Sequence, residues 1–147
     1  MIAGDGPDRE KLEEYVQERG LRHVEFLGFI DEATKKRLLH TCDLFCSPAI
    51  FGESFGIVLL EAMAAARGVV LAGNNPGYAS VMEPYPEQLF DPREVPDFAK
   101  KLARYLADEP ARTAAAQAQK TYVKQFDINE VGSQLLVVYK DALQRRS

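Results

Sequence analysis

Two short apolar runs, Leu44-Phe-Cys-Ser47 and Val69-Val-Leu-Ala72, flank a proline-free stretch from Phe55 to Ala66, and this succession leaves few folds open. Val69 to Ala72 is apolar at every position, as in strands covered on both faces of a parallel sheet. Pro48 ends the first run, and Phe55 to Ala66 reads as one uninterrupted helix. Strand, helix and strand in this order form the unit from which parallel sheets with crossover helices are built.

The flanking segments continue the alternation. Met1-Ile-Ala-Gly4 looks like the end of a strand cut short at its start, and Asp5-Gly-Pro7 is a strand-to-helix turn with Pro7 at the first helical position. Leu12, Tyr15 and Val16 make an apolar stripe, Gly20 ends the helix, and Val24 to Leu27 is a short strand. Asp31 caps a helix that carries Ala33, Leu38 and Leu39 as its core face and runs to about His40. Gly73-Asn-Asn-Pro-Gly77 reads as a loop, Tyr78 to Met82 as a turn or two of helix, and Gln88 to Phe90 as a last strand. Phe98, Leu102, Tyr105 and Leu106 then place a core face on one helix, and Ala114, Ala118, Tyr122 and Val123 on the next. Asp127 with Glu130 is an acidic capping box opening a final helix, with Val131, Leu135, Val138 and Tyr139 on one side, to about Arg145. The expected fold class is α/β: a Rossmann-like parallel sheet flanked by helices, ending in long helices, with all 147 residues in one domain.

Composition narrows the function. With 46% hydrophobic and 27% charged residues the chain is globular, and a net charge of -4 argues against a nucleic-acid partner. Lys35-Lys36-Arg37 and Arg145-Arg146 read as solvated helix faces. No apolar run reaches the length of a membrane span and no leader is visible, so the expected location is cytoplasmic. Cys42 and Cys46, four apart among apolar neighbours, read as reduced core thiols. Neither they nor the widely separated His23 and His40 have the spacing of a metal site. Gly4-x-Gly6 lacks the third glycine of a dinucleotide fingerprint and is read as a tight turn. With no Asp-x-Asp anywhere, no metal and no cofactor is expected.

The residues that point to chemistry are Glu53 and Glu61, two carboxylates eight positions apart with mostly apolar or small residues between. If the segment were helical throughout, Glu61 would lie roughly 12 Å beyond Glu53, within reach of a single extended ligand. Glu53 falls at the helix entrance, where the backbone N–H groups of Phe55, Gly56, Ile57 and Val58 are placed to hold a phosphate, and Gly56 permits close approach. The alternative is structural: Glu53 favouring the helix dipole and Glu61 paired with a neighbouring Arg or Lys.

As a whole, Gly52-Glu-Ser-Phe-Gly-Ile-Val-Leu-Leu-Glu-Ala-Met-Ala-Ala65 resembles the E-x7-E signature of retaining GT-B glycosyltransferases, the group 1 type of glycosyltransferase family 4 that includes phosphatidylinositol mannosyltransferase. Ile2-Ala-Gly-Asp-Gly-Pro7 with Leu12, Val24-Glu-Phe-Leu-Gly-Phe-Ile30 and Cys42-Asp-Leu-Phe-Cys-Ser-Pro48 look like the same family. The resemblance implies the C-terminal, donor-binding half of a GT-B fold. By position Glu53 matches the glutamate that engages the transferred sugar, Ser54 and the Phe55 to Val58 backbone match the phosphate-binding segment, and Glu61 matches the glutamate that binds ribose hydroxyls. Gly28 and Phe29 fall near the donor base. The usual Gly and Pro before the next strand are Ala66 and Gly68, which puts the helix C-cap geometry in question.

The partners so implied are a nucleotide-diphospho-sugar, with a mild lean to GDP-mannose, and an N-terminal acceptor domain not included in this chain. Peripheral association with the inner membrane face, through that domain, belongs to the same expectation. The family's strand and loop bearing the Arg and Lys that neutralise the diphosphate would precede Ile2, so the isolated chain is expected to be inactive. Two other readings stand beside the transferase: a GT-B relative that epimerises UDP-sugars, and a non-catalytic nucleotide-sugar-binding module. A flavodoxin-like receiver also fits the alternation, but only Asp43 and Asp91 stand near a strand end.

Overall fold

The computed structural model describes residues 1–65 and 67–145. They divide into two compact units, with the boundary after Leu38.

The first unit contains β1 (Ile2–Ala3), α1 (Arg9–Glu18), β2 (Phe26–Gly28) and most of α2 (Glu32–Thr41). β1 and β2 pair in parallel, with the Ile2 N–H donating to Glu25 O at 2.7 Å and the Gly4 N–H to Gly28 O at 2.8 Å. That pairing moves β2 later than the expected Val24 to Leu27. Pro7 lies in the turn ahead of α1 rather than in its first position, and Asp8 spends its carboxylate on Lys11 at 2.9 Å instead of capping the helix. The stripe on α1 is only half-covered, and Leu12 and Tyr15 remain exposed. Asp31 caps α2 as expected: its Oδ1 accepts from the Thr34 N–H at 2.7 Å, and its hydrogen bonds to Thr34 hold the carboxyl below the usual range.

The second unit is built on a three-stranded parallel sheet of β3 (Leu44–Ser47), β4 (Val69–Gly73) and β5 (Leu89–Phe90), in the order β3-β4-β5. β3 matches its expected bounds, and Leu44 to Ser47 lie opposite Val69 to Ala72 in unbroken register. β4 is central and buried along its length. Its side chains alternate between two cores, as strand geometry demands. Val70 and Ala72 pack with Leu59, Ala62 and Met63 of α3 (Ile57–Ala65) and Tyr78, Val81 and Met82 of α4 (Pro76–Met82). Val69 and Leu71 pack with Phe90 and with Tyr105 of α5 (Val95–Ala107). Helices on both faces of a parallel sheet make the unit Rossmann-like.

α6 (Glu109–Val123) and α7 (Ile128–Gln144) follow, and the three C-terminal helices differ from expectation in four respects. Leu106 on α5 is exposed. The covered face of α6 carries Ala116 and Gln119, not Ala114 and Ala118, because Gln119 reaches the sheet. α7 buries none of its residues, and Val131, Leu135, Val138 and Tyr139 are 42–61% exposed where a core face was expected. Asp127 caps α7 through the Asn129 N–H at 2.9 Å, but Glu130 accepts from Gln134 at 3.1 Å, so only half of the capping box forms. Arg146 and the Ala66 C-cap lie outside the described residues. Among the described residues no helix is long and apolar enough to cross a membrane.

Candidate functional site

In a parallel sheet every strand ends on the same side, and ligands bind where the following loops converge. In the second unit those loops are residues 48–56 after β3, the short Asn74-Asn75 link after β4, and Asp91-Pro92 after β5. The first carries Glu53. It is held down by Asn75, by Gly73 at the end of β4 and by the start of α4, and absent side chains make that approach possible. A Cβ on Gly73 would stand 2.5 Å from Ala49 O and 2.8 Å from Pro92 Cγ. A Cβ on Gly77 would fall onto the Glu53 carbonyl.

Asn75 supplies the polar half of this clamp. Its Oδ1 accepts from the Tyr78 N–H at 3.0 Å, capping α4, while its Nδ2 donates to Ala49 O at 2.9 Å. Tyr78 then places its ring beneath Gly56, where a Cβ would come 2.6 Å from Tyr78 Cδ1, and its hydroxyl 2.7 Å from Ser47 Oγ. Burial pushes the Tyr78 phenol above its ordinary range, the hydrogen bond with Ser47 opposes the rise, and the negative charge of Glu53 adds to it.

α3 opens at Ile57, two residues later than the expected Phe55. Gly56 has φ +85°, in the left-handed region, so the helix cannot extend back through it. The roughly 12 Å separation of Glu53 and Glu61, which assumed helix throughout, therefore does not apply. Glu53 and Ser54 belong to an exposed loop, and Ile57 and Val58 form the first turn of α3, whose N–H groups have no partner inside the helix. Phe55 anchors the entrance by an edge-to-face contact with Phe126 at 5.8 Å, and Phe126 continues to Tyr122 at 5.4 Å. Glu61 is half-buried one turn into α3 and is not without a partner.

Gly28 and Phe29 lie in the first unit, apart in the chain from the Glu53 segment. Gly28 has φ +64°, and a Cβ there would come 2.7 Å from Arg9 Nη1. Phe29 is 89% exposed. Cys42 and Cys46 are free thiols, as read from the sequence, and burial pushes the Cys46 thiol up to about 12.

Sequence reading missed Ser47, Asn75, Gly77 and Tyr78 at this end of the sheet. The one local signal was Asn75-Pro76, a good N-cap followed by the residue favoured at the first helical position, within a stretch read as loop.

The model of the family described as glycosyl transferases group 1 matches residues 1–122. The chain belongs to that family. Among curated relatives of this chain, the phosphatidyl-myo-inositol mannosyltransferase of Mycolicibacterium smegmatis is 31% identical over 140 residues, covering 95% of this chain and 36% of the relative. The alpha-D-kanosaminyltransferase of Streptomyces kanamyceticus is 29% identical, covering 96% of this chain and 37% of the relative. The chain thus spans little more than a third of the length of these relatives. The crystal structure of Anabaena HepE in complex with UDP superposes with a TM-score of 0.83 at 23% identity, covering 95% of this chain and 40% of that one, a likeness of fold.

Proposed function

We propose that this chain is the donor-binding half of a retaining glycosyltransferase that moves a hexose, mannose foremost, from a nucleotide-diphospho-sugar to an acceptor. The observation that carries the reading is the seating of the Glu53 loop at the carboxyl ends of β3 to β5, at the entrance of α3, in a member of the group 1 glycosyl transferases. Mannose is favoured because relatives 31–34% identical are named mannosyltransferases.

In this reading the first-turn amides of α3, with Ser54 to Val58, receive the donor phosphates, since a helix N-terminus offers unpaired N–H groups and partial positive charge. Glu53 faces the transferred sugar, where positive charge develops as the bond to the leaving diphosphate breaks. A fixed carboxylate there lowers the barrier electrostatically. Glu61 accepts hydrogen bonds from ribose hydroxyls, and Gly28 and Phe29 lie near the base. The diphosphate is neutralised by protein groups without a metal ion, and an acceptor-binding half closes over the donor and excludes water. The location is cytoplasmic, with the inner membrane face reached through that half.

Isothermal titration with UDP, GDP and ADP, on protein extended upstream of Met1, tests the reading. Saturable binding of one nucleoside diphosphate is the expected result, and no binding at millimolar ligand would overturn it. With the acceptor half present, a transferase releases nucleotide only slowly until an acceptor is supplied. A UDP-sugar epimerase would convert its substrate without one, and a binding module would do neither.

A further inference from the structure

Two consecutive residues seat the entrance of α3. Gly56, at φ +85°, lies against the Tyr78 ring so closely that no Cβ fits. The ring of Phe55 meets that of Phe126 at 5.8 Å with 70° between their planes, the edge-to-face arrangement that aromatic pairs favour. Phe126 is itself held. It ends the 3-10 turn Lys124–Phe126 that joins α6 to α7, and its ring stands 5.4 Å from Tyr122 at 71°. Tyr122 repeats the contact with Tyr85 at 5.4 Å and 88°, and Tyr85 Oη donates to Ala118 O at 3.0 Å. A ladder of rings thus runs from α6 and the end of α4 to the loop that carries Glu53.

We infer that Phe126 is a positioning residue for the donor-binding segment: its ring seats Phe55, and Phe55 with Gly56 holds the first-turn amides of α3 in one direction before a diphosphate arrives. The inference rests on the reading of Ser54 to Val58 as the phosphate-receiving segment and names the group that aims it. Amides converging on an anion act best when their directions are set beforehand, and a loop that must order itself on binding gives up affinity to do so. The main chain alone offers this stretch little order. Glu53 and Ser54 are exposed, Gly56 adopts the left-handed conformation, and the Leu59 N–H donates to Gly56 O at 2.9 Å only where the helix begins. The half-buried Phe126 supplies the restraint from a distant part of the chain, and the edge of one ring against the face of another fixes direction as well as distance.

The test uses Phe126→Leu, which keeps apolar bulk and removes the ring. Hydrogen exchange on the chain itself should show the Leu59 amide, whose acceptor is Gly56 O, exchanging about threefold to tenfold faster relative to the amides of β4, the loss expected for one aromatic pair. Phe55→Leu should produce the same acceleration, and the double variant should go no further, because both remove the same contact. Phe98→Leu is the control: it removes a ring stacked on Phe90 at 4.2 Å in the other core, and should lower the melting temperature without changing Leu59 exchange relative to β4. In protein extended upstream of Met1, titration compares whichever of UDP, GDP and ADP binds with its nucleoside. Phe126→Leu should cut the affinity added by the diphosphate about threefold to tenfold and leave nucleoside affinity in place, and Phe98→Leu should change neither. Leu59 exchange that keeps step with β4, additive effects of the two Leu substitutions, or an unaltered diphosphate increment would each overturn the inference. If the parent binds no nucleotide, the functional reading fails, and the role of Phe126 in donor binding fails with it. If the parent binds and Phe126→Leu binds equally well, the inference alone fails.

Discussion

Gln119 on α6 binds both main-chain groups of Val70, 49 residues away in sequence: its Oε1 accepts from the Val70 N–H at 2.8 Å and its Nε2 donates to Val70 O at 3.0 Å. β5 pairs with β4 only at Ala72 and Gly73, so at Val70 the neighbouring strand is missing and a side-chain amide completes the ladder. An amide has the same donor and acceptor as a peptide group, which is why a glutamine can stand at a fully buried position.

Gln119→Leu should therefore destabilise the second unit by about 2–6 kcal/mol, because two buried backbone groups lose their partners at about 1–3 kcal/mol each. Urea unfolding followed by circular dichroism measures it, and a loss under about 0.5 kcal/mol would show that Val70 finds other partners.

Gly77→Ala and Gly132→Ala form a contrasting pair, since both glycines are helical. At Gly132 a Cβ meets nothing within 4 Å, and Ala should stabilise α7 by about 0.5–1 kcal/mol through lower backbone entropy in the unfolded chain. At Gly77 the Cβ would strike the Glu53 carbonyl, so the same change should displace the Glu53 loop and lower the melting temperature. Equal shifts in the two variants would mean that the loop yields freely.

Burial raises both thiols, Cys46 up to about 12 and Cys42 above its ordinary value, so at pH 8 neither is appreciably thiolate. Iodoacetamide at pH 8 should leave both unmodified in the folded chain over an interval that labels both in guanidinium. Intact mass before and after denaturation reports it, and rapid labelling of folded protein would contradict the burial argument.

Glu53 and Glu61 should separate in kinetics measured with the acceptor-binding half present. Glu53→Gln should lower kcat about 10²- to 10³-fold with little loss of nucleotide affinity, as when one preorganised charge-stabilising group is removed. Glu61→Gln should raise KM by an amount corresponding to about 1.5–3 kcal/mol with a smaller change in kcat. Because Glu61 is half-buried and partnered, its melting temperature is read alongside. If Glu53→Gln keeps kcat within about threefold of the parent while Glu61→Gln abolishes turnover, the assigned roles are reversed.

Where interactions are local, the chain was legible. β3 was read to the residue and β4 to within one, since continuous apolar runs bounded by turn residues admit little else. Asp31 and Asp127 were recognisable as caps because a cap is chemistry among residues two or three apart. The start of α3 was misplaced for the opposite reason. Gly56 is only a weak local signal against helix, and the left-handed turn there occurs where the backbone passes over the Tyr78 ring.

The sequence by itself determined the alternation of strands and helices and the presence of one carboxylate at the entrance of a helix and a second within it, since hydrophobic period and motif spacing are properties of neighbouring residues. Only the tertiary structure decided what lies beneath Glu53. Ser47 and Tyr78 are 31 positions apart and meet because parallel pairing brings the ends of β3 and β4 together. The same holds for α7, whose apolar positions follow a core pattern yet stay exposed. A period says that a helix has an apolar side, and burial depends on whether another surface is there to cover it.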